Sequence, residues 1–407
     1  MPRRRIALYS HDTQGLGHVR RNIEIAASLV AGRPDTDVLL LTGTPAAAAL
    51  PLPAGTELVV LPGVAKDGDG GYSPASLGLG LDELLELRSR MIETAIAAFA
   101  PDLFVVDKVA RGMGGELDAA LRTARRTVGP RGLPTRTVLG LRDILDTPAV
   151  ARREWDAAGT TEAVLDLYDE VWVYGDPRVH DPVVAYGLGP EVGAMVRFTG
   201  YLARGRGRHL PPVPSPLTPT PGTAAAPTPY VLCLVGGGQD GHALADALAR
   251  TALPAGHHAV LVTGPCMPLA ERQRLAALAA VRDDLVVHTF VEDTLPLIAG
   301  AAAVVSMGGY NTVCELLASG RPPLVVPRTT PRLEQTLRVH ELGPWTELDH
   351  LAPDAATPEA LASWLADAVR RPPAHHTVDL DGLERLPALA DALLAPDHAL
   401  ELRHVSA

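Results

Sequence analysis

The 407-residue chain is 47% hydrophobic and carries a formal charge of −11. That apolar content is ample for the cores of two or three domains, and the negative balance excludes a general nucleic-acid binder, whose affinity comes from neutralising phosphates.

The chain opens Met-Pro-Arg-Arg-Arg and then Ile6 to Tyr9, an apolar run too short for the core of a signal peptide. A strand is expected over 6–10, then the loop His11-Asp12-Thr13-Gln14-Gly15-Leu16-Gly17-His18, then a helix over 19–30. Gly15 and Gly17 allow a tight turn, and His18 falls at the helix start, beyond the carboxyl end of the strand, where open parallel sheets bind ligands. A histidine there suits a general base if a carboxylate orients it, and such a partner would shift its pKa upward from about 6.5. A capping or core histidine fits the same pattern.

Further strands are expected over 38–41, 58–61, 103–106, 137–141 and 171–174, with the longest helix over 81–99. The alternation argues for a parallel sheet covered on both faces. Asp107 and Asp143 stand at strand ends, where either could face His18 or serve a turn. The arginines between 122 and 136 could touch an anionic surface but read better as a solvated loop. The arginine, alanine and proline content at large reads as a bias of genome composition that carries little functional weight.

Residues 205–229, rich in Arg and Gly and then in Pro, Ser and Thr, have the composition of a linker. It separates a domain over 1–204 from a second alternating run over 230–380. That run begins with a strand over 230–235, the loop Gly236-Gly237-Gly238-Gln239-Asp240-Gly241 and a helix over 242–251. Strands over 259–263 and 285–288 and a helix over 269–281 follow. The residues 381–407 hold a final helix over 383–402 that is expected to cross back to the first domain. Cys233, Cys266 and Cys314 have neither disulfide-framework nor zinc spacing, which fits a reducing cytoplasm. No apolar run is long enough to span a bilayer.

The strongest signal is Ser306-Met307-Gly308-Gly309-Tyr310-Asn311-Thr312-Val313-Cys314-Glu315, set between a strand over 301–305 and another over 324–326. Gly308 and Gly309 let backbone approach an anion, with a positive φ expected at Gly309, and the first helix amides point at the same place. Asn311 and Thr312 can add neutral donors. Glu315, one turn on, can accept two hydroxyls just beyond the phosphate. A diphosphate next to a diol is what a nucleotide sugar presents, and Gly236, Gly237 and Gly238 offer a second phosphate contact. Glu334 and Gln335 are expected on a strand-end loop near the same ligand. An ordinary glycine turn with Asn311 as a cap and Glu315 on the surface is the plainer alternative.

These residues carry a resemblance over essentially the whole chain. It resembles a GT-B glycosyltransferase of the MurG-like, family 28 type. The resemblance implies an α/β fold of two doubly wound Rossmann-like domains facing an interdomain cleft. It implies inverting, metal-independent transfer from a nucleoside diphosphate sugar, UDP-linked, to a hydroxyl of an unknown acceptor. Gly17-His18 is similar to the family's amino-terminal glycine loop ending in the acceptor's base, with Asp107 the positional candidate for its supporting carboxylate. Gly309-Tyr310-Asn311-Thr312-Val313-Cys314-Glu315 is similar to the carboxy-terminal signature, which places Glu315 on the ribose, and Glu334-Gln335 matches the pair that contacts donor-sugar hydroxyls. The sequence departs at Met307, where plant-type relatives carry a phosphate-binding histidine, and at Glu334, where the usual residue is aspartate. No cofactor and no metal are expected, and Asp379-Leu380-Asp381 reads as a surface turn. A lipid acceptor would bring peripheral contact with the inner face of a membrane. A non-hydrolysing nucleotide-sugar epimerase and a catalytically inactive nucleotide-sugar-binding protein remain as alternatives.

Overall fold

The computed structural model describes residues 2–12, 15–66, 71–211 and 228–395. Thr13 and Gln14 of the first loop, 212–227 of the expected linker and 396–407 of the expected last helix lie outside the described residues.

The chain divides into two compact units, Met1–His209 with Asp381–Ala407, and Leu210–Leu380. The first opens with β1 (Arg4–Ser10), α1 (Gly17–Gly32), β2 (Thr36–Thr42) and β3 (Thr56–Val60). A short antiparallel hairpin, β4 (Val64–Lys66) and β5 (Tyr72–Pro74), precedes α2 (Leu81–Phe99). Then come β6 (Leu103–Asp107), α3 (Asp118–Arg126), β7 (Arg136–Arg142), α4 (Pro148–Ala157), α5 (Thr160–Leu167), β8 (Glu170–Tyr174), α6 (Pro182–Tyr186), α7 (Gly189–Met195) and β9 (Val196–Phe198). The seven-stranded sheet has the order β3-β2-β1-β6-β7-β8-β9, and its pairings are parallel. Residues such as Leu103 to Val106 are buried on both faces, which is why β6 reads as an unbroken apolar run. From β1 the chain turns first towards β2 and β3 and later towards β6, so the switch point lies between β1 and β6.

The second unit repeats this plan. It runs β10 (Tyr230–Leu234), α8 (His242–Arg250), β11 (His258–Val262), α9 (Leu269–Ala279), β12 (Leu285–His288), α10 (Leu295–Gly300) and β13 (Ala303–Ser306). It continues α11 (Tyr310–Ser319), β14 (Pro323–Val325), α12 (Glu334–Leu342), β15 (Asp349–His350) and α13 (Pro358–Ala368). Its parallel sheet has the order β12-β11-β10-β13-β14-β15, with the switch between β10 and β13. Both glycine loops of this unit follow those two strands.

The last helix among the described residues, α14 (Gly382–Leu393), belongs to the first unit, where it packs on α1 and buries Leu383, Leu386, Ala390 and Leu393. Asp391 pairs with Arg4 at 2.7 Å and Arg33 at 2.9 Å, and the Ser28 hydroxyl donates to the Leu383 carbonyl. Gly32, the last residue of α1, lies so close to Pro387 that an added Cβ would stand 2.5 Å from the proline Cβ. Gly32→Ala should therefore destabilise the protein by about 1–3 kcal/mol, the cost of overpacking. Urea unfolding of the single variants and of Gly32→Ala/Pro387→Gly checks this: removing the Cβ at 387 should make the Gly32→Ala change cost less in the Pro387→Gly background than in the native one.

Candidate active site

Helix α1 begins where Asp12 meets it. The Asp12 carboxylate accepts the Val19 N–H at 3.2 Å and the Thr42 hydroxyl at 2.6 Å, and is thereby committed to the helix start. Burial pushes its pKa up to about 7, against the help of the Thr42 hydroxyl. Gly15 in the preceding loop has φ +75°, which a glycine adopts without cost. Gly17, the first residue of α1, has no neighbour within 4 Å of an added Cβ.

His18 and Arg21, three residues apart on α1, face the same point at the end of β6. That point is Asp107, whose side chain is 1% exposed. Arg21 forks onto the carboxylate, with Nη2 at 2.6 Å from Oδ1 and 2.8 Å from Oδ2, and Nε at 3.2 Å from Oδ1. His18 Nδ1 hydrogen-bonds Asp107 Oδ2. An ionised carboxylate can only accept, so the bond puts the proton on Nδ1 and leaves Nε2 of the neutral ring as the basic nitrogen. Burial opposes the charge on Asp107, but Arg21 and His18 overcome it and hold the carboxylate below its ordinary range. The sequence led us to expect a raised pKa at His18. Instead, burial lowers it to about 4, with Arg21 and Lys108 adding to the effect and Asp107 opposing it.

His11 stacks edge-on to His18 with ring centroids 6.2 Å apart, and burial, with Lys108 and His18, lowers its pKa to about 3. Lys108 has φ +70°, a left-handed backbone held by its N–H on the Gly140 carbonyl at 2.8 Å. Asp143, the other strand-end carboxylate, is buried and accepts the Ile144 N–H at 2.7 Å, the turn role. Beneath β1 lies a buried ion pair that the sequence did not mark. Arg88 holds Glu116 at 2.6 and 3.0 Å, and the Tyr9 hydroxyl donates to the same carboxylate at 2.5 Å.

In the second unit, α11 begins right after Gly309, whose φ is −64°, so the expected positive φ does not occur: the residue already has the extended conformation that precedes a helix. What glycine provides there is space, since nothing lies within 4 Å of an added Cβ; the same holds at Gly236 and Gly237. Gly238, by contrast, has φ +93° and would place a Cβ 2.3 Å from the Thr263 carbonyl oxygen, so it serves close packing on the β11 end. The Gly308 peptide is gripped on both sides from α12. Gln335 Oε1 accepts the Gly308 N–H at 3.0 Å, and Arg338, fully buried, donates to the Gly308 carbonyl at 2.9 Å while lying 5.7 Å from the Tyr310 ring centroid.

Gln335 also accepts the Arg328 N–H at 3.2 Å. The Arg328 side chain bridges Asp240 of the triple-glycine loop at 2.6 Å and Glu334 at 2.5 Å. Glu334 and Gln335 therefore stand in the first turn of α12, buried and bonded within the unit, and not on an open loop. Glu315 is buried on α11, and one of its oxygens accepts the Thr294 hydroxyl at 2.9 Å. Asn311 and Thr312 are half-buried in the first turn of α11. Arginine, given little weight in the sequence, makes the ion pairs and backbone contacts described above at Arg21, Arg88, Arg328 and Arg338. For Arg21 a signal existed, the three-residue spacing from His18. Among the described residues no group of three or more His, Cys, Asp or Glu could hold a metal ion. Asp381 pairs with Arg204 at 2.7 Å.

Residues 231–373 match the family described as Glycosyltransferase family 28 C-terminal domain. In sequence, the chain is 27% identical over 199 residues to a Xanthomonas campestris UDP-N-acetylglucosamine--N-acetylmuramyl-(pentapeptide) pyrophosphoryl-undecaprenol N-acetylglucosamine transferase. That match takes in 49% of this chain and 40% of the relative's length. In structure, it is similar to CalG4, the calicheamicin glycosyltransferase, with TM-score 0.54 and 18% identity over 100% of this chain and 98% of that one. It is also similar to a candidate UDP-N-acetylglucosamine 2-epimerase from Listeria monocytogenes, with TM-score 0.57 and 13% identity over 99% and 97%. At these identities the structural likenesses establish the fold, two Rossmann-like units of the GT-B kind.

Since Gln335 Oε1 serves two backbone amides, Gln335→Ala should cost about 1–3 kcal/mol by leaving them unmet. Urea unfolding without ligand measures it; a residue that touched only a bound sugar would leave that stability unchanged.

Proposed function

We propose that the chain, whose residues 231–373 match a family 28 C-terminal domain and whose units have the GT-B fold, is a glycosyltransferase. It moves a sugar from a nucleoside diphosphate sugar to a hydroxyl of an acceptor. The observation that carries this reading beyond a binding protein is the His18–Asp107 pair, a neutral imidazole with its outer nitrogen basic and its inner one fixed on a buried carboxylate.

In the proposed reaction His18 Nε2 takes the acceptor's hydroxyl proton as the oxygen attacks the anomeric carbon from the face opposite the diphosphate. The bond from that carbon to the diphosphate oxygen breaks, the nucleoside diphosphate leaves with the electron pair, and the configuration inverts. The open glycines Gly236, Gly237 and Gly309 and the first amides of α11 favour the leaving diphosphate without a metal ion, because helix amides stabilise anionic charge. Glu315 takes the ribose diol, and Asn311 and Thr312 add contacts near the phosphates. Arg328 holds Glu334 and the triple-glycine loop together at the rim of that site.

The Xanthomonas relative is named for a UDP-linked donor, which makes UDP-sugars the first donors to test. Its named acceptor is a pyrophosphoryl-undecaprenol, and a lipid acceptor here would place the protein at the inner face of a membrane as a peripheral, cytoplasmic enzyme. No helix among the described residues is long and apolar enough to cross one. A thermal-shift screen of UDP- and dTDP-sugars, followed by mass spectrometry of products formed in cell extract, tests the reading. Conversion of a UDP-sugar to its epimer with no acceptor present would replace it with the epimerase, whose fold is equally close.

Two variants divide the work. His18→Ala should lower turnover by about 10²–10⁴-fold, the usual contribution of a general base, while the donor dissociation constant stays unchanged. Near-normal turnover would remove His18 from the role. Glu315→Ala should weaken nucleoside diphosphate binding by about 1.5–3 kcal/mol in calorimetry, as expected for hydrogen bonds to a charged group. Thr294→Val is its control, since it breaks the internal bond and spares the carboxylate.

A further inference from the structure

The fork of Arg21 onto Asp107 has no part in the proton transfer itself, yet it takes hold of both oxygens of the carboxylate that orients His18. A histidine facing an unshared buried carboxylate becomes more basic, because the imidazolium then neutralises the pair. Here that neutralisation is already made. The Arg21 and Asp107 side chains are 3% and 1% exposed, so their pairing persists with little screening by water. Arg21 Nη2 also lies 3.0 Å from His18 Nδ1, where a proton on the outer nitrogen would bring a second positive charge against the guanidinium.

We propose that Arg21 is a positioning residue that lets Asp107 orient His18 through Nδ1–H while denying the carboxylate to an imidazolium, so that His18 stays neutral through the cellular pH range. The proposal rests on the reading of His18 as the acceptor's base.

The other groups around the ring act in the same direction or are already paired. Lys108, from the end of β6, adds positive charge next to His18. His11, from the loop after β1, is itself held neutral by burial and by Lys108. Asp12 is engaged by Val19 and Thr42, and Arg88 of α2 is engaged by Glu116. Tyr174 of β8, facing Asp107 and Arg21, is kept protonated by burial first and then by Asp107. Burial is the first obstacle to protonating His18; beyond it the new charge would face Arg21 and Lys108, with only Asp107, already forked by Arg21, to offset it. The pH titration of His18 reports the difference in a way that a purely structural arginine would not.

The test is an NMR titration of His18 in the full chain, with ring nitrogen shifts to read the tautomer, in the native protein and in Arg21→Gln. The native ring should be the Nδ1–H tautomer and titrate well below pH 6.5. In Arg21→Gln the midpoint should rise by at least one pH unit, since Asp107 then has only the imidazolium to neutralise it. Arg21→Gln/Asp107→Asn, which removes both charges, should lose that rise. A native midpoint at or above 6.5 overturns the proposal without any variant having to fold, and so does an unmoved midpoint in folded Arg21→Gln. These readouts need no acceptor or turnover. A failure to find any glycosyl transfer would sink the function reading and leave the titration result standing, whereas a normal midpoint with full transferase activity would sink this proposal alone.

Discussion

A carboxylate buried at the end of a central strand has to be answered by positive charge or by hydrogen bonds, because its transfer from water is otherwise prohibitive. In the first unit Asp107 imposes that demand, and α1 meets it with two side chains one turn apart. The register of α1 is fixed accordingly. Asp12 receives its first turn through Val19, and Asn22 donates to the Tyr9 carbonyl at 3.2 Å and the Ser10 hydroxyl at 2.7 Å, which ties the helix to β1. The switch point between β1 and β6 is thus held by polar contacts from three sides, and the geometry at His18 follows from them.

The second unit solves a different problem at its own switch point. There the group to be fixed is neutral, the peptide of Gly308, and the fixing comes from Gln335 and Arg338 on α12. Holding that peptide sets where α11 can begin and therefore where its first amides point. Arg328 extends the same frame to the triple-glycine loop through Asp240. One unit organises a charge and the other organises backbone donors.

The sheets were legible in the sequence because apolar runs such as Val38 to Leu41 and Leu103 to Val106 have the length and burial of parallel strands. β9 and β15, with three and two residues, are too short to show any period, and the β4–β5 hairpin has no alternation to betray it. Strand-end position left both Asp107 and Asp143 able to face His18, and only the resemblance favoured Asp107, the one that bonds it. The electrostatics of the pair could not be read from position, since the direction of the shift at His18 depends on burial and on Arg21 and Lys108, partners chosen by three-dimensional packing. Glu334 and Gln335 were read by position as ligand contacts, yet the bonds they make within the unit come from backbone amides and an arginine that no local pattern marks. Gly309 shows the same limit in miniature. A left-handed backbone was expected there, but the residue is extended and nothing in the chain lies within 4 Å of an added Cβ, so neither strain nor internal packing requires the glycine.

The position of α14 bears on the order in which the protein is made. The first unit is discontinuous: residues 210–380 separate most of it from the helix that covers α1. A ribosome therefore finishes the whole second unit while the first still lacks Leu383, Leu386, Ala390 and Leu393 from its apolar interior. Domains formed during synthesis usually mature from the amino terminus onward. In this chain the second unit has all its residues before the first does, and the first unit's sheet, translated ahead of it, waits with one face of α1 uncovered until α14 emerges.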